Sequence, residues 1–234
     1  MIELHHVTKE YGKRKSLDNV TFTFEKGKVY GILGPNGSGK STMMKIMAGL
    51  VYPSKGDVTI AGKKADRKTA SNLAFLASEG MLYPGFKIEQ MIHYYHSQYS
   101  DFSIEKAEEL LTFMELDRHQ KVSQLSKGQQ GRLKLLLVLS RQTDVLLLDE
   151  PFIGLDPMVR DTIVQGLVSF IDFGEQTVII ATHEITEIEP ILEDAIILES
   201  GRITAHCNVE QIREEQGLSI LEWLKSNFKK GELV

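Results

Sequence analysis

The stretch that decides the fold is Gly34-Pro35-Asn36-Gly37-Ser38-Gly39-Lys40-Ser41-Thr42. The apolar run Val29 to Leu33 precedes it, and Thr42 to Leu50 follows with Met43, Ile46, Met47 and Leu50 at helical spacing. Strand, glycine loop and helix in that order make a phosphate cradle. The glycines let the backbone curl so that amides point inward, and the helix that opens near Lys40 adds its positive dipole end. Lys40 supplies a point charge for the outer phosphates, and the Ser41 hydroxyl suits a hard divalent cation. Residues Gly34 to Thr42 are therefore the candidate nucleotide-binding set. A glycine turn without a ligand is the bland alternative, and the fixed spacing between a strand and a helix argues against it.

Working outward, Tyr52-Pro53 and Lys55-Gly56 end the helix. Alternation through Val20, Phe22 and Phe24, followed by Lys26-Gly27, predicts a hairpin leading into Val29 to Leu33, and hence an antiparallel amino-terminal sheet. Further strands are predicted at Val58 to Ala61, Leu73 to Ala77, Val145 to Asp149, Thr177 to Ala181 and Ala195 to Glu199. Helices separate the last three, so the core sheet is predicted to be parallel. From Ile88 to Leu116 the pattern is helical, rich in Tyr94, Tyr95, Tyr99 and Phe102, and Val209 to Phe228 again reads as helix. Packing of that tail on its own domain is the simpler reading of Ile220, Leu221 and Leu224.

At 234 residues, 42% hydrophobic and 25% charged, the composition is that of a folded globular chain. A net charge of -5 argues against a surface built for nucleic acid, so no nucleic-acid partner is expected. The single cysteine, Cys207, rules out an internal disulfide, fits a reducing cytoplasm and reads as a small buried apolar residue. Met1 to Tyr11 lacks the pattern of a secretory signal. The apolar runs Leu135 to Leu139 and Val145 to Leu148 are far short of the ~20 residues that cross a bilayer, so any membrane role is expected to come from a partner.

The run Val145 to Leu148 ends in Asp149-Glu150, two carboxylates at the carboxyl end of a buried strand, where ligand crevices of α/β sheets lie. Asp149 joins Ser41 as a candidate Mg²⁺ residue, acting through a water. Glu150 is the candidate that orients or deprotonates the water attacking a terminal phosphate.

These motifs, with Leu125-Ser126-Lys127-Gly128-Gln129 between them, resemble the nucleotide-binding subunit of an ABC (ATP-binding cassette) transporter over nearly the whole chain. The resemblance implies an α/β P-loop NTPase of the ABC ATPase type, with an antiparallel β subdomain and a helical subdomain. It implies one domain, 1–234: a RecA-like core over about 1–82 and 140–205, a helical subdomain over about 83–139, and a helical tail over about 206–234. ATP and Mg²⁺ are the implied ligands. Tyr11 would stack on adenine, His183 would sense the γ-phosphate as the switch histidine, and Gly154-Leu155-Asp156 would form the D-loop. Ser126, Gly128 and Gln129 would reach the ATP of an opposite cassette. A capping role alone would also explain Ser126, which precedes an apolar helix.

Two positions depart from the family pattern. Lys127 stands where glycine is usual, and no glutamine occurs within Phe75-Leu76-Ala77-Ser78-Glu79, where the family's Q-loop glutamine belongs. Ser78 takes that place and is too short to do the same job directly; Glu79 or a bridging water would substitute. Two functions follow from the resemblance. The first is an ATPase on the cytoplasmic face that pairs with a second, identical or different, cassette and drives a membrane permease, most like Gram-positive exporters of peptides, antibiotics or other amphipathic compounds. In that case Tyr83 to Tyr99 would face the permease, or else form an ordinary helical core. The second is a soluble ABC ATPase acting on nucleic acid, ribosomes or a regulatory partner. Only about 85 residues separate Ser41 from Ser126, with no sustained heptads, which opposes the coiled-coil chromosome type.

Overall fold

The computed structural model describes residues 1–66, 68–78 and 80–227. Glu79 lies outside the described residues, as does the end of the expected tail helix at Phe228.

From the amino end, β1 (Ile2–Tyr11) and β2 (Arg14–Phe24) form an antiparallel pair, and β3 (Val29–Leu33) runs through the glycine loop into α1 (Lys40–Met47). Strands β4 (Lys55–Ile60), β5 (Lys63–Lys64) and β6 (Leu73–Leu76) follow. Three helices come next: α2 (Ile88–Gln98), α3 (Ile104–Phe113) and α4 (Lys127–Leu139). Then β7 (Val145–Asp149), α5 (Pro157–Phe170), β8 (Thr177–Thr182), the single turn α6 (Ile185–Ile188) and β9 (Asp194–Glu199) alternate. β10 (Arg202–Asn208), α7 (Val209–Gln216) and α8 (Ile220–Asn227) end the described chain.

The strands make two sheets, one ordered β2-β1-β4-β5 and antiparallel, the other β10-β9-β3-β8-β7-β6. All pairs in the second are parallel except β9 with β10. The expected parallel core and amino-terminal antiparallel sheet are both present, but the expected hairpin is not. The Lys26-Gly27 turn carries the chain from one sheet to the other: β2 pairs with β1, and β3 with β8 and β9. Burial explains the separation. Every residue of β3 is buried, which demands a central position covered on both faces, whereas β2 buries Leu17, Val20 and Phe24 on one side. Residues 206–208, expected in the helical tail, belong to β10.

The parallel sheet divides two apolar cores by the two-residue alternation of strands. Leu147, Ile179 and Ile32 face α1 and the antiparallel sheet, where Met43 and Met47 meet Ile2 and Leu4. Leu146, Leu148 and Ile180 face the helical side, where Met91, Leu110 and Leu135 cover them. Burying each such side chain contributes roughly 1.5–3 kcal/mol before conformational entropy is counted. Ile220 and Leu224 of α8 are buried in this second core, so the tail packs on its own chain.

Candidate nucleotide site

Strands β3, β8 and β7 lie side by side in parallel, so their carboxyl ends deliver three segments to one place. Leu33 pairs with Thr182 and Asp149 with Ala181, which sets the glycine loop, Asp149-Glu150 and His183 in a row. The loop is held tight. Gly34 has φ 151, and a Cβ there would lie 2.1 Å from the Leu198 carbonyl oxygen; at Gly39, φ is 115 and a Cβ would lie 2.4 Å from that of Ser16. Only glycine fits either position.

Lys40 is buried and donates to the carbonyls of Gly34 (2.7 Å) and Pro35 (3.3 Å), and its Nζ lies 3.4 Å from Glu150 Oε1. The other carboxylate oxygen of Glu150 lies 2.9 Å from His183 Nδ1. Because a carboxylate only accepts, Nδ1 is the donor. Glu150 itself has φ 51, a costly backbone conformation for a residue with a side chain, of a kind that collects at functional sites. Ser41 Oγ donates to Asp149 Oδ1 at 2.9 Å. Burial pushes the Asp149 pKa up and the charge of Glu150 adds to this, while the Ser41 hydrogen bond pulls it down. Asp149 Oδ2 and Ser38 Oγ are buried and accept or donate no hydrogen bond among the described residues. The Asp149 oxygen, at the carboxyl end of β7 beside the Ser41 hydroxyl, is left open to a polar ligand.

A cleft of about 450 Å³ brings together Tyr11, Asn36, Gly37, Gly39, Lys40, Ser41, Thr42, Ser78 and Glu150. Tyr11 is half exposed, with the Lys9 ammonium 5.1 Å from its ring centre. Besides Ile153, two polar lining residues escape sequence reasoning: Arg14 donates to Gly37 O at 2.9 Å, and Ser16 donates to Thr42 Oγ1 at 2.8 Å. A basic residue shortly after the aromatic is the only local signal for either. A cleft of about 530 Å³, lined in part by Lys26, Lys63 and Asp144, sits at the amino ends of the strands and gathers no such chemistry.

Gly34, Pro35, Ser38, Asp149 and His183, and likewise Ser126, Gly128, Gln129 and Asp156, are not among the residues that line the nucleotide cleft. Ser126 caps α4 in a reciprocal box: Gln129 N donates to Ser126 Oγ (3.2 Å) and Ser126 N donates to Gln129 Oε1 (2.9 Å). Asp156 caps α5 by accepting from Val159 N at 3.1 Å, with Pro157 opening the helix. Ser78 lies between the nucleotide cleft and a smaller one of about 140 Å³ that Lys127 also lines. Its carbonyl accepts from Lys134 Nζ at 2.8 Å, tying the loop after β6 to α4.

The donor set at Ser41 and Asp149 fits a hard cation: one hydroxyl and a carboxylate with an unpartnered buried oxygen. Among the described residues no group of three or more His, Cys, Asp or Glu could hold a metal by itself. A cation here would therefore complete its shell with phosphate oxygens and water, as Mg²⁺ does. Among the described residues no helix is long and apolar enough to cross a membrane.

The family model "ABC transporter" matches residues 17–153. The chain is 32% identical over 231 residues to a Nod factor export ATP-binding protein I of Burkholderia orbicola, spanning 94% of this chain and 75% of that one. It is 27% identical over 217 residues to the ABC transporter ATP-binding protein YtrB of Bacillus subtilis, spanning 92% and 74%. Among solved structures, a dimeric post-hydrolysis state of the ATP-binding cassette MJ0796 bound to ADP and Pi matches with a TM-score of 0.78 and 28% identity, covering 89% of this chain and 98% of that one.

Proposed function

We propose that this chain, which belongs to the ABC transporter family and is an ATPase, forms one half of an ATP-closed clamp that drives a separate membrane permease. The observation that carries the reading is the position of Glu150, with one carboxylate oxygen 3.4 Å from Lys40 Nζ and the other 2.9 Å from His183 Nδ1. A γ-phosphate bound by Lys40 lies against Glu150. That carboxylate then orients the attacking water and takes its proton, and His183 fixes the carboxylate's direction and reads the terminal phosphate. The amides of Gly37 to Thr42 hold the remaining phosphate oxygens, and Tyr11 supplies a face for adenine. Ser41 and Asp149 would hold Mg²⁺, which would supply charge neutralisation to the bound phosphates.

Ser126 and Gly128, at the amino end of α4, complete the ATP site of a second cassette, identical or related. The dimeric state of the MJ0796 cassette supports this arrangement. The ADP and Pi bound in that cassette support ATP as the substrate. The permease contact falls on the aromatic groove of Met81, Tyr83, Tyr94, Tyr95 and Tyr99, which holds the chain at the inner face of the membrane. The Nod factor export relative, and a probable multidrug relative in Escherichia coli that is 31% identical over 198 residues, support an exporter of amphipathic cargo.

The test is co-expression with a candidate membrane protein that carries about six apolar spans of ~20 residues each. The expected result is stoichiometric co-purification in detergent and faster ATP turnover by the complex, with Ser78→Gln altering that stimulation while ATP binding persists. A chain that stays apart from the membrane protein and is not stimulated by it would overturn the transport reading.

A further inference from the structure

A chain of contacts inside one subunit connects α4 to the Glu150–His183 pair. Helix α4 lies close on α5 and on the loop before it: a Cβ at Gly128 would stand 2.9 Å from Val159 Cγ2, and one at Gly131 would stand 3.1 Å from Leu155 Cδ1. The amino end of α4 therefore cannot shift without moving Leu155 and Val159. The next residue along α5 after Val159 is Arg160. Its Nε donates to the Leu155 carbonyl at 3.0 Å, and its Nη1 donates to Glu184 Oε2 at 2.8 Å and to Glu187 Oε1 at 3.4 Å. Glu184 follows His183 directly and is itself pinned by its amide to Thr182 Oγ1 at 2.9 Å. His183 in turn donates to Glu150.

A single guanidinium thus grips the loop that precedes α5 on one side and the segment that carries His183 on the other. Arg160 and its partner Glu184 are part-buried, with side chains 21% and 25% exposed, so the ion pair is more sheltered than a rim contact. The planar fork of arginine sets direction as well as distance, and lysine would keep the charge while losing the second donor nitrogen that lets one side chain hold both sides.

We infer that Arg160 is a positioning residue that relays the state of the α4 amino end to the Glu150–His183 pair, making hydrolysis at a subunit's own ATP depend on the ATP that its Ser126 and Gly128 grasp on the other subunit. This rests on the two-cassette reading above. In the relay, the grasped nucleotide fixes α4; α4 fixes Leu155 and Val159; Arg160 transmits that position to Glu184; and His183 is held at the angle that keeps Glu150 in line with the water. Misplacing a catalytic group by about 1 Å costs on the order of 100-fold in rate.

The experiment compares wild type, Arg160→Met, Arg160→Lys and Glu184→Gln/Glu187→Gln in steady-state ATPase assays over a range of ATP concentrations. Wild type is expected to respond with a Hill coefficient above one, because both nucleotides close the clamp. Arg160→Met is expected to lose about 10- to 100-fold in kcat with half-saturation changed less than about threefold, and to respond with a Hill coefficient near one. Arg160→Lys should recover part of the rate. The glutamine pair should reproduce Arg160→Met, and adding Arg160→Met to it should cost little more. Thermal unfolding of each variant separates this from general loss of structure. A wild type without ATP-dependent dimerisation or hydrolysis would overturn the clamp itself. A cooperative wild type whose Arg160→Met variant is folded and keeps both kcat and the Hill coefficient would overturn the relay alone, as would a lowered melting temperature with cooperativity unchanged.

Discussion

Glu150 lies between Lys40 and His183, with its Oε2 2.9 Å from His183 Nδ1 and its Oε1 3.4 Å from Lys40 Nζ. Neither contact is local in sequence. The carboxylate is buried, sits on a backbone with φ 51 and is held on both oxygens, with the His183 amide also donating to Oε2 at 3.4 Å, so its orientation is set before substrate arrives. Removing the imidazole with His183→Ala frees that orientation. The expected outcome is a kcat lower by about 100-fold or more with ATP affinity little changed, measured by ATPase assay alongside equilibrium binding of a fluorescent ATP analogue.

Ser126 has two proposed duties that substitution can separate. Aspartate is as good an amino cap as serine, and its charge suits a helix amino end, so Ser126→Asp should hold stability within about 0.5 kcal/mol. The same carboxylate would repel the γ-phosphate of the opposite cassette. Denaturant unfolding should therefore be near wild type while ATPase activity falls at least about tenfold. Full activity would leave Ser126 a cap and nothing more.

Arg141 joins the helical side to the parallel sheet. Its guanidinium binds Asp101 (2.8 and 2.7 Å) and the carbonyls of Leu73 and Ser71, and it stacks 4.0 Å from the Tyr99 ring centre. Arg141→Met strands a carboxylate and two carbonyls, and should cost about 3 kcal/mol of folding stability. Chemical denaturation measures it, and a loss under about 1 kcal/mol would contradict the bracing role.

Cys207 gives a pH test. Burial pushes its thiol from the ordinary 9.0 up to about 11, with the nearby Asp194 charge adding to the shift. Folded protein should therefore alkylate at pH 8 about 100-fold more slowly than unfolded chain, since each pH unit changes the thiolate fraction tenfold. The folded state keeps a proton that the unfolded chain loses above its lower pKa, so stability falls as pH rises from about 9 to about 11 and is unaffected at neutral pH. Iodoacetamide kinetics in buffer and in denaturant check the first statement.

The glycine loop was legible because phosphate chemistry fixes residue types over nine contiguous positions, 34–42. The parallel sheet was legible from fully apolar strands such as Val145 to Leu148. The hairpin expected at Lys26-Gly27 failed because a turn signal says that the chain reverses or bends and does not say which sheet receives it. β10 was missed for another reason: Arg-Ile-Thr-Ala-His-Cys-Asn alternates only between exposed and half-buried positions, and its apolar signal is weak. Arg14 and Arg160 were invisible because their contacts bridge 23 and 24 residues and exist only once the sheet has formed. Ser126 was legible as a cap and, through family resemblance, as a trans contact; the capping box realises the first.

The most direct test of the clamp is the mass of the Glu150→Gln variant by multi-angle light scattering, with and without saturating Mg-ATP, paired with its hydrolysis rate. The side chain keeps its shape and loses its basicity, so ATP should bind and not be consumed. The account predicts a monomer without nucleotide, a dimer with two ATP trapped per pair, and hydrolysis reduced at least about 100-fold. A variant that stays monomeric at saturating ATP, or one that hydrolyses ATP at near wild-type rate, would contradict it.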